Sequence, residues 1–346
     1  MQLYIKNKSF ETIALIDEYT SVIWTKRYFT CGDFELYLPV TSKLLEILAI
    51  GNYVYRLDDD EVMVIEKIEI TTDAETGNYL IVSGRSLGSI IGRRIVWNMT
   101  SFDMPVGDII KYLLNANVIN PTITERKIDN FSFIDNTSSS QKIQKQITGD
   151  NLLTAIETLC TTYGYGWKVK LIDNSFEFEL YEGTDRSYNQ AANPYVVFSP
   201  EFDNLINSKY NLDSTTFANV ALVAGEGEGV ARKRQSVGNA SGLDRYEIYV
   251  EANDMSTNSE ETISASQYET MLKERGLEKL AEATATEAFE GDVESTYAYK
   301  TDWNIGDIVQ IENEFGITAT SRIIEVIEAE DASGHKIIPT FEKWEV

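Results

Sequence analysis

Apolar and polar positions alternate with a period of two through most of the first hundred residues, the mark of half-buried strands. Residues 2–5, 12–16, 21–28 and 34–38 follow it, with turn residues between them. The pattern breaks at residues 42–50. There Leu44, Leu45, Ile47, Leu48 and Ile50 fall at helical spacing, and Gly51 is a natural stop. Strands resume at 53–57, 62–70 and 79–83, with Asp58, Asp59 and Asp60 suited to a turn. Residues 87–91 read as a short apolar helix leading to Arg93 and Arg94.

The period then changes. Pro105 opens a helix over 105–115, with Val106, Ile109, Ile110, Leu113 and Leu114 on its apolar face. Residues 135–146 are polar and read as a loop. Asp150 or Asn151 caps a second helix carrying Leu152, Leu153, Ile156, Leu159 and Cys160, and Gly164 and Gly166 end it. Residues 167–171 and 175–181 alternate as a hairpin turned at Asp173–Asn174. Further on, residues 195–198 open the last third. Strands at 219–224 and 246–250 flank a polar, glycine-rich stretch at 225–242. A long helix covers 267–288, interrupted by Gly276. Strands return at 294–299, 307–312 and 321–328.

Three blocks of the first third recur in order in the last. Gly32-Asp33-Phe34-Glu35 matches Gly291-Asp292-Val293-Glu294. Ile50-Gly51-Asn52-Tyr53-Val54 matches Ile305-Gly306-Asp307-Ile308-Val309. Ile65-Glu66-Lys67-Ile68-Glu69 matches Ile324-Glu325-Val326-Ile327-Glu328. The echo predicts a mainly β chain with an α+β insert. Two related small antiparallel β-barrels, at 1–98 and 199–346, flank an α/β middle domain at 99–198. Val54 is then equivalent to Val309, and Ile68 to Ile327. The long helix near 267–288 belongs to the second barrel domain.

A length of 346 residues fits two or three domains. Lys and Arg number 30 against 55 Asp and Glu, a formal charge of −25. Such a chain lacks the clustered cations that grip nucleic acid. Two cysteines, Cys31 and Cys160, make no disulfide framework and read as free, buried or half-buried thiols of a protein made in a reducing cytoplasm. The first ten residues carry no apolar signal region. No apolar run approaches the roughly 20 residues of a membrane span, so no stable membrane insertion is expected.

Catalytic chemistry has little to stand on. The one histidine, His335, falls in a turn with no nucleophile motif nearby, and Cys31, Cys160 and His335 are too scattered for zinc. Gly225-Glu226-Gly227-Glu228-Gly229 follows a strand but carries two glutamates and no helix behind it, so it reads as a loop and not a phosphate cradle. Gly149-Asp150 and Asp58-Asp59-Asp60-Glu61 lack calcium-loop spacing. Gly84, Gly88 and Gly92, four residues apart, suit close packing. No catalytic, cofactor-binding or metal-binding residue is assigned, and the chain is expected not to be an enzyme.

Several segments carry a family resemblance. Trp24-Thr25-Lys26-Arg27-Tyr28 followed by Gly32 to Pro39 resembles the N-terminal barrel of siphophage tail-hub proteins, the Tal-type or tail-associated family. Gly84-Arg85-Ser86-Leu87 and Arg93-Arg94-Ile95-Val96-Trp97 resemble the end of that barrel. Asn151-Leu152-Leu153 with Tyr163-Gly164-Tyr165-Gly166-Trp167 resembles its middle domain. Ala224 to Gly229, Arg245-Tyr246-Glu247 and Asp302-Trp303-Asn304-Ile305-Gly306-Asp307-Ile308-Val309 resemble its last domain.

The resemblance implies a homotrimer similar to the hub of contractile-phage baseplates, with six related barrels around a channel. It implies a virion protein at the distal tail tip that closes the tail tube and passes DNA without binding it specifically. The implied partners are a distal tail protein ring, the tape measure protein and receptor-binding or tip proteins. No cofactor is implied. Some relatives add a peptidase or lysin domain, and this chain stops soon after the second barrel. The alternative expectation is a tail-associated cell-wall hydrolase or a carbohydrate-binding tip module.

Overall fold

The first strands form where the sequence alternates. They are β1 (Leu3–Lys6), β2 (Thr12–Ile16), β3 (Ser21–Arg27) and β4 (Asp33–Pro39), then helix α1 (Ser42–Ile47), then β5 (Tyr53–Tyr55), β6 (Val62–Asp73) and β7 (Gly77–Ser86). This is a computed structural model, and it describes every residue except 74–76, 139, 258–262, 285, 293–296, 314, 316–317 and 343–346. Trp24, Phe34, Leu36, Val54 and Ile65 turn inward to one core. The Thr41 side chain accepts from Leu44 N and caps α1. The helix is shorter than expected because the Asn52 amide donates to Ile47 O, and Gly51, at φ 84°, turns the chain into β5.

A short 3₁₀ helix (Leu87–Arg93) leads into β8 (Thr100–Pro105), α2 (Val106–Leu114), β9 (Phe131–Asn136), β10 (Lys142–Ile147), α3 (Leu152–Tyr163), β11 (Gly166–Ile172) and β12 (Ser175–Tyr181). Asn151 caps α3 and Gly164 ends it at φ 77°, as its sequence foretold. The β11–β12 turn places Asp173 and Asn174 at positive φ, as a two-residue hairpin requires. The expected loop at 135–146 instead contains most of β10, which pairs with β8. β10 buries Ile143, Lys145 and Ile147, and the lysine in that row disguised the alternation.

The remainder comprises β13 (Val197–Phe198), β14 (Ile206–Asp213), β15 (Val220–Ala224), β16 (Arg234–Val237), β17 (Glu247–Glu251), α4 (Ala265–Glu282), β18 (Thr286–Asp292), β19 (Ile308–Glu312), β20 (Thr318–Asp331) and β21 (Gly334–Phe341). The glycine-rich stretch holds β16, which pairs with β15, and β17 flanks β15 in parallel. α4 covers this small sheet over Val223, Val250, Met271 and Leu272, a core of its own. The helix expected at 267–288 therefore ends at Glu282, and residues 286–292 form a strand. Gly276 is a close contact, not a break, since a Cβ there would lie 2.7 Å from Val237 Cγ2 and 2.9 Å from Val223 Cγ2. Much of the strand expected at 294–299 lies outside the described residues.

The long sheet overturns the expectation of two closed barrels. Thirteen strands form one open sheet in the order β14-β18-β21-β20-β3-β4-β7-β6-β5-β1-β2, with β19 branching from β20 to meet β13. β20 spans 14 residues. It pairs with β19 through its first part and with β3 from Glu325↔Arg27 to Asp331↔Ser21.

The internal echo is visible in this topology. The run β3-β4-β7-β6-β5 has the same neighbours as β14-β18-β21-β20-β19, every pair antiparallel. Gly51 N donates to Ile65 O and Ile65 N to Asn52 O. Gly306 N donates to Ile323 O and Ile323 N to Asp307 O. Both glycines have positive φ, and a bulge follows both Ile65 and Ile323.

Val54 and Val309 are equivalent as expected, three residues past each glycine and fully buried. The other two blocks shift. Ile65 matches Ile323, so Ile68 matches Val326 and not Ile327, because the bulge inserts a residue among near-identical apolar neighbours. Phe34 and Phe289 are the equivalent partners of Gly84 and Phe341, so Phe34-Glu35 matches Phe289-Glu290 and not Val293-Glu294, which lie outside the described residues.

The repeated turn gives a paired test. A Cβ on Gly51 would meet only the end of the flexible Lys8 side chain, whereas one on Gly306 would lie 2.3 Å from the Tyr28 ring. Gly51→Ala should cost about 1–2 kcal/mol, for left-handed backbone alone. Gly306→Ala should add about 1–3 kcal/mol for overpacking. Urea unfolding of both variants measures the difference, and equal losses would contradict the wedge role given to Tyr28 below.

Candidate functional site: the junction of the strand sets

β3 ends in Arg27, and the next residue carries the pairing onward, since Tyr28 N donates to Ile324 O. The Tyr28 ring is fully buried between two glycines. A Cβ on Gly166 would lie 2.1 Å from it, closer still than the 2.3 Å of one on Gly306. The Arg322 guanidinium lies over the ring, 5.1 Å from its centroid, and donates to Gly306 O. Tyr28 Oη accepts from Gly183 N at 3.2 Å and sits 3.3 Å from the carbonyls of Gly164 and Tyr181. One side chain thus touches both strand sets and the middle segment. Beside it, Trp167 Nε1 donates to Phe29 O at 2.7 Å.

An ionic network covers the same junction. The carboxylate of Asp59 is fully buried, 2.7 Å from Lys26 Nζ and 2.8 Å from Lys300 Nζ. Asp60 pairs with Lys168 at 2.5 Å. Arg56 lies between Asp58 at 2.7 Å and Glu328 at 3.0 Å. Asp307, the counterpart of Asn52, accepts from Thr184 N, Arg186 Nε and Asn304 N, and so ties the chain leaving the middle segment to β19. These groups border an open cavity of about 650 Å³ lined by Lys26, Asp58, Lys168, Tyr181, Tyr299 and Asp307 among others.

Burial opposes ionisation of Asp60, but Lys168 and Lys26 overcome it and hold the carboxyl down to about 2. The hydrogen bonds from Arg56 hold Asp58 at about 2. Glu61 goes the other way. It is buried, its Oε2 has no hydrogen-bond partner, and burial pushes its carboxyl up to about 7 despite Lys26.

The arrangement is a clamp of matched charges. The acid run Asp58–Glu61 faces lysines and an arginine instead of a free cation, and the described residues hold no metal-type group of His, Cys, Asp and Glu. His335 stands near the start of β21, with Nε2 3.7 Å from a Glu328 oxygen. Cys31 and Cys160 are free and buried, and burial pushes the Cys31 thiol up to about 12 and raises that of Cys160, so neither is a ready nucleophile. Glu226 of the glycine-rich loop accepts from Lys233 Nζ and Thr257 N, so its carboxylate takes up donors within the loop and beside it.

Gly84, Gly88 and Gly92 each permit a different close approach, to Val64 O, Trp167 and Leu153. Nothing in the sequence marks Arg56, Lys168, Lys300, Arg322 or Glu328 as partners. The only signal was the acid run itself, since four consecutive acids demand cations from elsewhere.

A second polar contact joins α4 to the middle segment. Lys145 and Glu278 form a buried ion pair, and Tyr163 Oη donates to Glu274 at 2.6 Å.

The segments singled out in the sequence meet here: Lys26 to Tyr28, Gly164 to Trp167, and Gly306 with Asp307. The profile of one protein family, the siphovirus ReqiPepy6 Gp37-like proteins, matches residues 2–341. The chain belongs to that family. No curated protein matches the sequence.

Among solved structures, the tail protein from Neisseria meningitidis MC58 is similar at 11% identity and a TM-score of 0.61, over 99% of this chain and 96% of that one. The prophage MuSo2 43 kDa tail protein from Shewanella oneidensis matches at 12% and 0.61, over 99% and 98%. The prophage tail protein gp18 from Listeria monocytogenes EGD-e matches at 12% and 0.56, over 100% and 96%. The fold is that of phage tail proteins. No helix among the described residues is long and apolar enough to cross a membrane.

Glu61 supplies a pH test. Its folded carboxyl near 7 stands above an ordinary value of 4.5, so between those values the folded chain holds a proton that the unfolded chain has released. Its contribution is full below about pH 4.5 and is lost as pH rises through 7. Glu61→Gln should therefore gain on the wild type by about 2–3 kcal/mol between pH 4.5 and 7.5. Urea midpoints across that range measure it, and a pH-independent difference contradicts the assignment.

Proposed function

We propose that this chain is a structural tail-tip hub. In this reading three copies form a ring of six related strand sets that closes the tail tube and later passes DNA. The ring docks on a distal tail protein ring and meets the tape measure and tip proteins. It has no catalytic role, and the virion tail tip is its location.

One observation carries this reading. The edge of β20 that β3 occupies has a counterpart in the first strand set, and that counterpart is empty. β5 covers only Val62 to Val64 of β6, so Lys67 to Asp73 have no partner on that side among the described residues. β14, the counterpart of β3, is paired only with β18.

Transferring the β3–β20 register to these edges sets Lys67 opposite Asp213, Ile68 opposite Leu212 and Ile70 opposite Tyr210 of the next copy. The first pair repeats, with signs exchanged, the Arg27–Glu325 ion pair at 2.6 Å within the chain. The pairing would also cover Ile70 and Leu212, which stand 51% and 57% exposed. A head-to-tail contact of this kind makes a closed ring when its rotation closes, and two equivalent sets per chain let a threefold ring meet a sixfold one. Such a ring also removes both free edges.

Light scattering should give a mass near three times the 39.1 kDa chain. Lys67→Asp and Asp213→Lys should each yield monomer, and the double variant should restore the trimer. A wild-type monomer at high micromolar concentration, or single reversals that leave the trimer intact, contradicts the ring. At physiological salt the trimer should not retard duplex DNA in a gel, because the net charge of each copy is −25.

A further inference from the structure

One surface of this acidic chain is cationic and aromatic. The 93–97 segment and the 3₁₀ turn Thr124–Arg126 clasp each other. Arg94 Nε donates to Arg126 O, and Arg126 Nη2 donates to Ile95 O and to Asn117 Oδ1. Asn117 is buried in the π-helical turn Asn115–Ile119 that continues α2, accepts from Trp97 N and donates to Leu113 O. Single π turns recur at functional sites.

The clasp presents its side chains outward. Trp97 is 56% exposed with the Arg126 guanidinium 5.0 Å from its ring centroid, and Tyr112 and Ile123 are exposed beside it. Between them lies a notch of about 40 Å³, floored by Val96, Leu113 and Ala116.

The charge of this surface is not neutralised. Arg94 and Arg126 form no ion pair among the described residues, in a chain with 25 more acids than bases. Burial and the neighbouring Arg94 both act against the charge on Arg126. Nε and Nη1 of Arg126 have no protein acceptor among the described residues. Glu125, in the same turn, is exposed and lies 3.4 Å from the hydroxyl of Thr124. An arginine fork beside an aromatic ring and a small apolar notch is the composition of a binding hot spot.

We propose that this surface docks an acidic segment of another protein, seating one apolar side chain in the notch and a neighbouring carboxylate on Arg126. Charge complementarity selects that occupant. A phosphate polymer would use the arginines but not the notch or the tryptophan, and a glycan would use the tryptophan but not two guanidinium groups that lack a carboxylate partner. The surface is separate from the β6 and β14 edges, so the proposal stands or falls apart from the ring.

The test pans a displayed random-heptapeptide library against the whole chain, with counter-selection against a Trp97→Ala, Arg126→Glu variant. Should that variant melt early, Tyr112→Ser replaces it, since the Tyr112 ring takes no part in the clasp. The expected result is enrichment of peptides with Asp or Glu beside an apolar residue. Their affinity should fall at least tenfold in the variant and fall again as salt rises. No enrichment over counter-selection, or enrichment of basic peptides, overturns the proposal. So does displacement of the selected peptides by polyphosphate or by peptidoglycan fragments at lower concentrations than by free acidic peptide. Selected sequences that reproduce a segment of this chain assign the surface to a second copy and also overturn it.

Discussion

A strand at the edge of a sheet leaves a row of backbone donors and acceptors without partners, and each five-strand set of this chain has such rows. β20 resolves one of them by extending beyond β19 and lying against β3. That pairing fixes the register between sequence-distant halves, because a slip of one residue would turn buried Trp24 and Val326 to the wrong face. Tyr28, immediately past the paired stretch, sits between Gly166 and Gly306 and so sets how the middle segment approaches the sheet. The ionic clamp lies over the same place and inherits its geometry from it.

The clamp is better understood as specifying the junction than as strengthening it. Bringing Asp59, Lys26, Arg56 and Glu328 out of water is costly, and their attraction recovers that cost only where hydrogen bonds satisfy the remaining atoms. Here the recovery is incomplete, since Arg56 Nη1, Glu61 Oε2 and Glu328 Oε1 have no hydrogen-bond partners. An apolar junction would hold more firmly but would tolerate sliding. Paired charges from three parts of the chain fit in one arrangement.

The parts of the fold legible in the sequence were those whose period or caps are local. α3 was marked by Asn151 and Gly164, and the β11–β12 hairpin by Asp173-Asn174. β10 and β16 were not legible, because a buried lysine in one and glycine-rich flanks around the other hide the alternation. The echo was real, but two of its three blocks were misaligned. Near a bulge, Ile323, Ile324, Val326 and Ile327 offer two registers, and the hydrogen bonds of Ile323 with Gly306 and Asp307 choose between them. The clamp was half visible. Acids adjacent in sequence announced themselves, while their cations at 26, 168 and 300 are neighbours only in the folded chain. Barrel closure was not legible at all, since it depends on which edges meet.

The position of the insertions explains how a repeat so altered keeps its strand order. In the second set, the sheet of β15 to β17 with α4 enters between β14 and β18, where the first set has only the short connection from Arg27 to Asp33. In the first set, the connection between β4 and β5 holds only α1. Both insertions enter at strand ends, so neither blocks the edge of β14 nor the outer edge of β6. A loop can grow at small entropic cost because closure entropy rises only logarithmically with length. In the proposed ring, an added strand on either edge would instead take the place of the neighbouring copy. On that proposal the edges are the constrained part of this chain, and the loops between them are where new layers and new binding surfaces are free to arise.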